Sequence, residues 1–72
     1  MKDFVKNLKQ RFPKGTRVRL LGMEDMQAPP VGTLGTVQCV DDIGTIHVRW
    51  ENGSSLGLVW GEDSFEEVHD EN

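Results

Sequence analysis

Hydrophobic and polar residues alternate along most of this 72-residue chain. In the segment 45–50, Ile46, Val48 and Trp50 fall on one face, and the residues between them are polar. A period of two is typical of a strand that buries one face. Similar runs predict a first strand at 16–21, a second beginning at residue 35, a fourth around Leu56 and Leu58, and a fifth at 65–68.

Turn signals separate these runs. Asn52-Gly53 is a strong hairpin signal, because both residues tolerate the positive φ of a type I′ turn. Asp41 to Gly44 supplies turn-forming aspartates and a glycine. The segment 22–32 is predicted to be a long loop, since it is too rich in proline for a strand and too short for a helix. Residues 61–64 form a one-turn connector.

This order of elements predicts a mainly β fold, a small five-stranded SH3-like barrel. Closing the sheet would remove the exposed edges of an open five-stranded sheet. The competing five-stranded oligonucleotide-binding barrel usually carries a helix between its third and fourth strands. The hairpin at Asn52-Gly53 leaves no room for that helix.

A short N-terminal helix precedes the barrel. Phe4, Leu8 and Phe12 recur at four-residue spacing, and Pro13 ends the pattern. A helix this short is marginal in water by itself, so we expect it to pack on an open end of the barrel. The predicted organisation is a helix at 1–12, a barrel at 13–68 and a polar tail at 69–72.

Composition narrows the classes of partner and compartment. The net charge of −4 opposes general binding to nucleic acid, which depends on clustered lysine and arginine. The single cysteine excludes an intrachain disulfide and suits a reducing compartment. Neither a secretory signal nor an apolar run of about 20 residues is present. We expect a small acidic cytoplasmic protein that does not bind membranes and for which nucleic acid is a disfavoured partner.

Two sets of motifs resemble known families. The segments 14–20 and 32–37 resemble the opening half of the KOW motif of SH3-like barrels, although the loop here is longer. A wider set resembles a family of small bacterial and phage proteins known only as a domain of unknown function, with Met26 where proline is expected. The resemblance covers about residues 12–68 and implies the fold and a phage or mobile-element origin, without an activity. Its motifs are Met23 to Asp25, Gln27 to Thr33, Gly35 to Val37, Val40 to Gly44, Trp50, and Asn52 to Leu56.

The residues that could support catalysis are few. Cys39 shares the inward phase of Val37, whereas His47 shares the outward phase of Arg49, so a nucleophile and its base would lie on opposite faces. We therefore expect Cys39 to be a small buried hydrophobe and the protein not to be an enzyme. His69 lies in the tail. One cysteine and two dispersed histidines fall short of a zinc site, and no cofactor or metal is expected.

A binding surface is the more promising feature. Methionines and prolines in the 22–32 loop form an adaptable and partly stiffened apolar surface, unless they only cover a barrel end. Trp50 is expected in the core. Trp60 either completes a core layer, the interpretation we prefer, or stands at the edge of a groove. Because the chain contains no tyrosine, a polyproline-binding groove is disfavoured.

Four outward residues raise a separate hypothesis. Arg17, Arg19, His47 and Arg49 would form a basic stripe, able to hold a small anionic ligand, if the first and third strands display neighbouring surface. The alternative, which we favour, is a solvated face on which Glu51 and Glu66 balance the arginines.

The sequence thus predicts a non-catalytic module that binds an unidentified protein or a second copy of itself. A phage counter-defence effector, which inhibits a host immune protein or sequesters a nucleotide signal, is the alternative. A nucleic-acid-binding KOW-like domain is third. The residues predicted to bind the partner or ligand are Met23, Asp25, Met26, Pro29, Pro30, Arg49 and Trp60.

Overall fold

One antiparallel sheet carries the five strands in a computed structural model that describes residues 2–69. The elements are α1 (Lys2–Arg11), β1 (Arg17–Gly22), β2 (Leu34–Val40), β3 (Thr45–Trp50), β4 (Leu58–Val59) and β5 (Ser64–Glu67). Their order in the sheet is β4-β3-β2-β1-β5. The mainly β fold with a short N-terminal helix is confirmed. Closure of the sheet into a barrel stays a prediction, and residues 70–72 of the expected tail lie outside the described residues.

The helix α1 packs against the turn between β2 and β3. Leu8 and Phe12 are buried, as the four-residue spacing predicts, whereas Phe4 is half exposed. At Gly44, which has a φ of 89°, a Cβ atom would lie 3.4 Å from the Phe4 ring and 3.7 Å from Leu8. Lys9 Nζ also reaches Asp42 Oδ1 of the same turn at 2.9 Å. The helix is ten residues long, which is too short to cross a membrane.

The core lies on one face of the sheet. The strands contribute fully buried side chains, and α1 adds Leu8 and Phe12. Because aliphatic side chains from neighbouring strands meet on this face, their burial supplies most of the stability expected for so small a domain. The strand residues are Val18, Leu20, Val37, Val40, Ile46, Val48, Trp50 and Leu58.

A β-bulge in β2 corrects the predicted position of Cys39. Val37 pairs with Val48, but Cys39, two residues later, pairs with His47, the next residue back along β3. Gln38 is therefore the extra residue, and it reverses the phase of the strand. Val40 takes the inward position that alternation assigned to Cys39, and Cys39 is exposed.

The indole of Trp50 lies against Gly35. These two residues are directly opposite each other in the register of β2 and β3. Trp50 is fully buried, as predicted, and its Nε1 donates a hydrogen bond to the Leu56 carbonyl at 2.8 Å. Leu56 itself lies before β4, which begins at Leu58, and is only half buried, so its predicted inward position in the fourth strand is wrong.

Replacement of Gly35 should test this packing. In Gly35→Ala, the new Cβ would lie 2.5 Å from Val48 Cγ1 and 2.7 Å from Trp50 Cε3. Because strand and ring must both shift, we expect a loss of about 1–3 kcal/mol in the free energy of unfolding, measured by urea denaturation. Gly22→Ala is the matched control, since its Cβ would meet only Ser64 Cβ, at 3.9 Å. Equal stability of the two variants would contradict the packing described.

Candidate functional site

Short hydrogen bonds shape the loop between β1 and β2. Asp25 Oδ1 accepts from the Gln27 amide at 2.7 Å, and the Asp25 carbonyl accepts from the Ala28 amide at 3.0 Å. The Pro30 carbonyl accepts from both the amide and the hydroxyl of Thr33, at 3.1 and 2.6 Å. Asp25 and Pro30, two of the predicted binding residues, thus hold the conformation of the loop.

The apolar residues of this loop divide into two groups. Met23 is half buried against the core and Pro29 is buried, as expected if the loop covers the end of the sheet. Met26 is fully exposed, and Pro30 and Val31 are also exposed. Only this second group offers apolar surface to a partner.

Trp60 belongs to a cluster of three aromatic rings. Its ring centroid lies 5.9 Å from that of Phe12 and 6.0 Å from that of Phe65, and the Phe12 and Phe65 centroids are 5.5 Å apart. These distances are typical of tilted aromatic pairs. Trp60 is nevertheless 46% exposed. The core position preferred from the sequence is therefore wrong, and Trp60 stands at the edge of a groove.

The turn after β4 holds Trp60 in this position. The Asp63 amide donates to the Val59 carbonyl at 3.0 Å, and the Val59 amide donates to Asp63 Oδ2 at 2.8 Å. Gly61 adopts a φ of 91°, a conformation that residues with a Cβ rarely adopt. This closed turn holds the indole against Phe12 and Phe65 and leaves part of it exposed to solvent.

An open groove runs along the exposed side of Trp60. Its volume is about 420 Å³, within the range of ligand-binding clefts, but it is broad and shallow. The sequence offered one unused signal for this groove: Leu20 and Leu21 are adjacent, and consecutive side chains of a strand cannot both enter the core. The register of β1 with β5 shifts at this point, and Leu21 is 45% exposed. The lining residues are Leu21, Trp60, Gly61, Asp63, Ser64 and Phe65.

The predicted basic stripe is neutralised along β1. Arg17 binds Glu51 at 2.7 Å and Arg19 binds Glu66 at 2.8 Å, so the solvated face favoured from the sequence is observed. Arg49 is exposed and lies opposite Thr36, and within residues 2–69 no carboxylate oxygen lies within 4.0 Å of its guanidinium. Arg49 is the part of the stripe that could still meet an anion.

Asp41 organises the turn between β2 and β3. Its Oδ1 accepts from the amides of Ile43 and Thr45, at 3.1 and 2.9 Å. Its Oδ2 lies 2.8 Å from His47 Nε2. The hydrogen bond from the His47 side chain, with that from the Thr45 amide, lowers the pKa of Asp41 below its ordinary value of 3.8. Asp41 therefore satisfies turn amides, as expected of a turn-forming aspartate, whereas Asp42 pairs with Lys9 instead, so the same role expected for Asp42 is wrong.

The β2 bulge places Cys39 and His47 on the same outward face. The expectation that they lie on opposite faces is therefore wrong, and that geometric reason for excluding thiol chemistry no longer holds. Within residues 2–69, however, the sulfur makes no hydrogen bond to the imidazole, whose Nε2 is held by Asp41. No cluster of three metal-ligating side chains occurs in this described part of the chain. A non-catalytic role stays a prediction.

Comparison with known proteins gives a family without an activity. The family model described as "Domain of unknown function (DUF4314)" matches residues 1–68. No curated protein and no solved structure matches the chain. Any function must therefore be inferred from the groove and the surfaces described above.

The hydrogen bonds to Asp41 should make stability depend on pH. Because the folded-state pKa is depressed, the carboxylate stabilises the fold above its ordinary pKa of 3.8. This contribution is lost as the pH falls through the folded-state value. We expect Asp41→Asn to lower the urea midpoint of unfolding at neutral pH. At acid pH, where the wild-type carboxyl is protonated, the midpoints of the variant and the wild type should become similar. Asp42→Asn, the same change at a neighbouring residue that forms only an exposed ion pair with Lys9, should have little effect. A pH-independent difference for Asp41→Asn would contradict the assignment.

Cys39 should react with thiol reagents in the folded protein. Its exposure on the outward face predicts complete modification by a maleimide without denaturant, counted by mass spectrometry. Cys39→Ser is the control for modification at other residues. Protection of the thiol until the protein unfolds would restore the buried position expected from simple alternation.

Proposed function

We propose that this chain, which belongs to the family described as a domain of unknown function (DUF4314), is a non-catalytic module that binds another protein through the Trp60 groove. The observation that carries the proposal is the half-exposed indole of Trp60 beside Phe65 and Leu21. Tryptophan is enriched among the residues that dominate protein–protein affinity, especially where neighbouring side chains exclude water around it.

The shape of the groove favours a protein over a small molecule. A cleft that encloses a small ligand usually buries most of that ligand. This groove is shallow, and it is bounded by the end of β1 and by the turn after β4. A side chain or a short segment of a partner would cover Trp60 and Leu21 together.

The loop between β1 and β2 extends this surface in the proposal. The loop begins immediately after Leu21 and Gly22, and Gly22 pairs with Ser64 of the groove. Met26, Pro30 and Val31 then provide exposed apolar groups near its tip. Methionine adapts to irregular partner surfaces, whereas proline limits the entropy lost on binding.

The barrel type, origin, location and partner of the protein are part of the same proposal. The order of strands in the sheet supports the SH3-like, KOW-resembling barrel of the proposal. The proposed phage or mobile-element origin rests on the motifs shared with small bacterial and phage proteins, and the proposed action in the cytoplasm rests on the single cysteine. Its partner would be a host or phage protein, or a second copy of the chain. Nucleic acid and membrane are disfavoured by the acidic composition.

Arg49 supports a second candidate function. An exposed guanidinium without a carboxylate partner in the described residues can bind a phosphate through two parallel hydrogen bonds. A small anionic ligand, such as a nucleotide signal sequestered by a counter-defence effector, would suit this position. The groove offers more surface than one arginine, so protein binding remains the primary proposal.

Substitutions in the groove test the proposal. Immobilised wild-type protein should capture a defined partner from a host lysate, and Trp60→Ala and Leu21→Asn should reduce capture about tenfold or more. Ile43→Ala is the matched control, because Ile43 is 84% exposed and is not among the residues that line the groove. Circular dichroism should show that each variant is folded.

Two outcomes would contradict protein binding through the groove. One is equal capture by wild type and both groove variants. The other is that a nucleotide raises the melting temperature of the wild type but not of Arg49→Ala, while neither protein captures a partner from the lysate. That result would support the anion-binding alternative.

A further inference from the structure

Charge is distributed unevenly along the chain. Residues 1–19 contain seven of the eight lysines and arginines but a single acidic residue, Asp3. Residues 20–72 contain the other eleven acidic residues and Arg49 as their only arginine or lysine. The folded protein therefore combines a basic N-terminal segment with an otherwise acidic surface.

The Trp60 groove belongs to the acidic part. Among the residues that the structure describes, its lining includes Asp63 and no lysine, arginine or histidine. Glu62 is exposed in the same turn, and Glu24 and Asp25 are exposed in the loop that leaves the groove at Gly22. Negative charge is thus concentrated around an apolar floor.

Two arginines of the basic segment, Arg11 and Arg19, lie outside the groove lining. Arg19 is engaged by Glu66 at 2.8 Å. The Arg11 guanidinium lies 5.4 Å from the centroid of the Phe12 ring, so it stacks on a residue that is not part of the groove lining. The Arg19 charge is thus balanced by Glu66, and Arg11 contacts the aromatic cluster outside the groove lining.

We propose that the groove recognises a cationic segment of the partner protein, in which an arginine or lysine stacks on Trp60. This inference rests on the proposed function and names the chemical class of its partner. Trp60 is half exposed, and the face of an indole attracts a cation more strongly than other aromatic rings do. Leu21 and Phe65 can pack against the aliphatic stem of the same side chain. Glu62 and Asp63 favour its charged head.

The same features disfavour other occupants. An acidic peptide or a nucleic acid would meet the Asp63 carboxylate without a compensating cation in the groove. A symmetric pairing of two grooves would bring like charges together, which is unfavourable at an interface. A cationic partner is the occupant for which charge and apolar surface agree.

Short labelled peptides can test this inference on the full chain. A peptide of alternating arginine and leucine should bind wild type, measured by fluorescence anisotropy, and its affinity should fall as salt is added. A peptide of alternating glutamate and leucine should not bind. Trp60→Ala should weaken the arginine peptide about tenfold, and Leu21→Asn provides a second groove variant that leaves the three-ring cluster intact.

A matched pair of charge reversals separates local from general attraction. Glu62→Lys and Asp3→Lys change the net charge equally, but only Glu62 lies at the groove. We expect Glu62→Lys to weaken the arginine peptide about threefold to fivefold, and Asp3→Lys to leave its affinity nearly unchanged.

Three results would overturn the inference. They are equal weakening by the two charge reversals, comparable binding of the glutamate peptide, and failure of the arginine peptide to bind. If the arginine peptide fails while Trp60 is still required for capture from a lysate, the cationic partner is wrong and protein binding stands. If the arginine peptide does not bind and Trp60 is not required for capture from a lysate, the groove is not a binding site.

Discussion

The contact between Trp50 and Gly35 is the constraint on which the rest of this small domain depends. A full-size indole can enter the core only because the opposing residue on β2 has no side chain. Burial would leave the indole N–H without a partner, but the Leu56 carbonyl accepts its hydrogen bond. This bond ties the segment before β4 to β3, so Leu58 reaches the core. The position of the turn that carries Trp60 follows from that attachment.

Alternation and turn chemistry are enough to predict much of this architecture. The strand at 45–50, the turn at Asp41–Gly44 and the helical stripe of Leu8 and Phe12 follow from local pattern, because each segment obeys one period. The pattern fails at Cys39. The extra residue Gln38 moves the side chains that follow it in β2 to the opposite face, and nothing in the residue types of β2 marks this change. A bulge is recognised only from the pairing with the neighbouring strand, so the alternation within β2 alone cannot reveal it.

The candidate site was less accessible to prediction, for a related reason. Trp60 could be recognised as an aromatic residue near the end of the sheet, but its exposure depends on the hydrogen-bonded turn between Val59 and Asp63. Leu21 lies where the register of β1 and β5 shifts, and Cys39 follows the bulge in β2. Both irregularities turn a side chain toward solvent, so the departures from regular pairing create much of the chemically interesting surface.

The position of Phe12 has a consequence for how the groove is maintained. This residue follows α1 and is buried, yet its ring touches Trp60 and Phe65 from behind. The N-terminal segment therefore supports the groove, although none of its described residues lines it. A change near that end of the chain that displaces Phe12 would therefore deform a groove that Phe12 itself does not line.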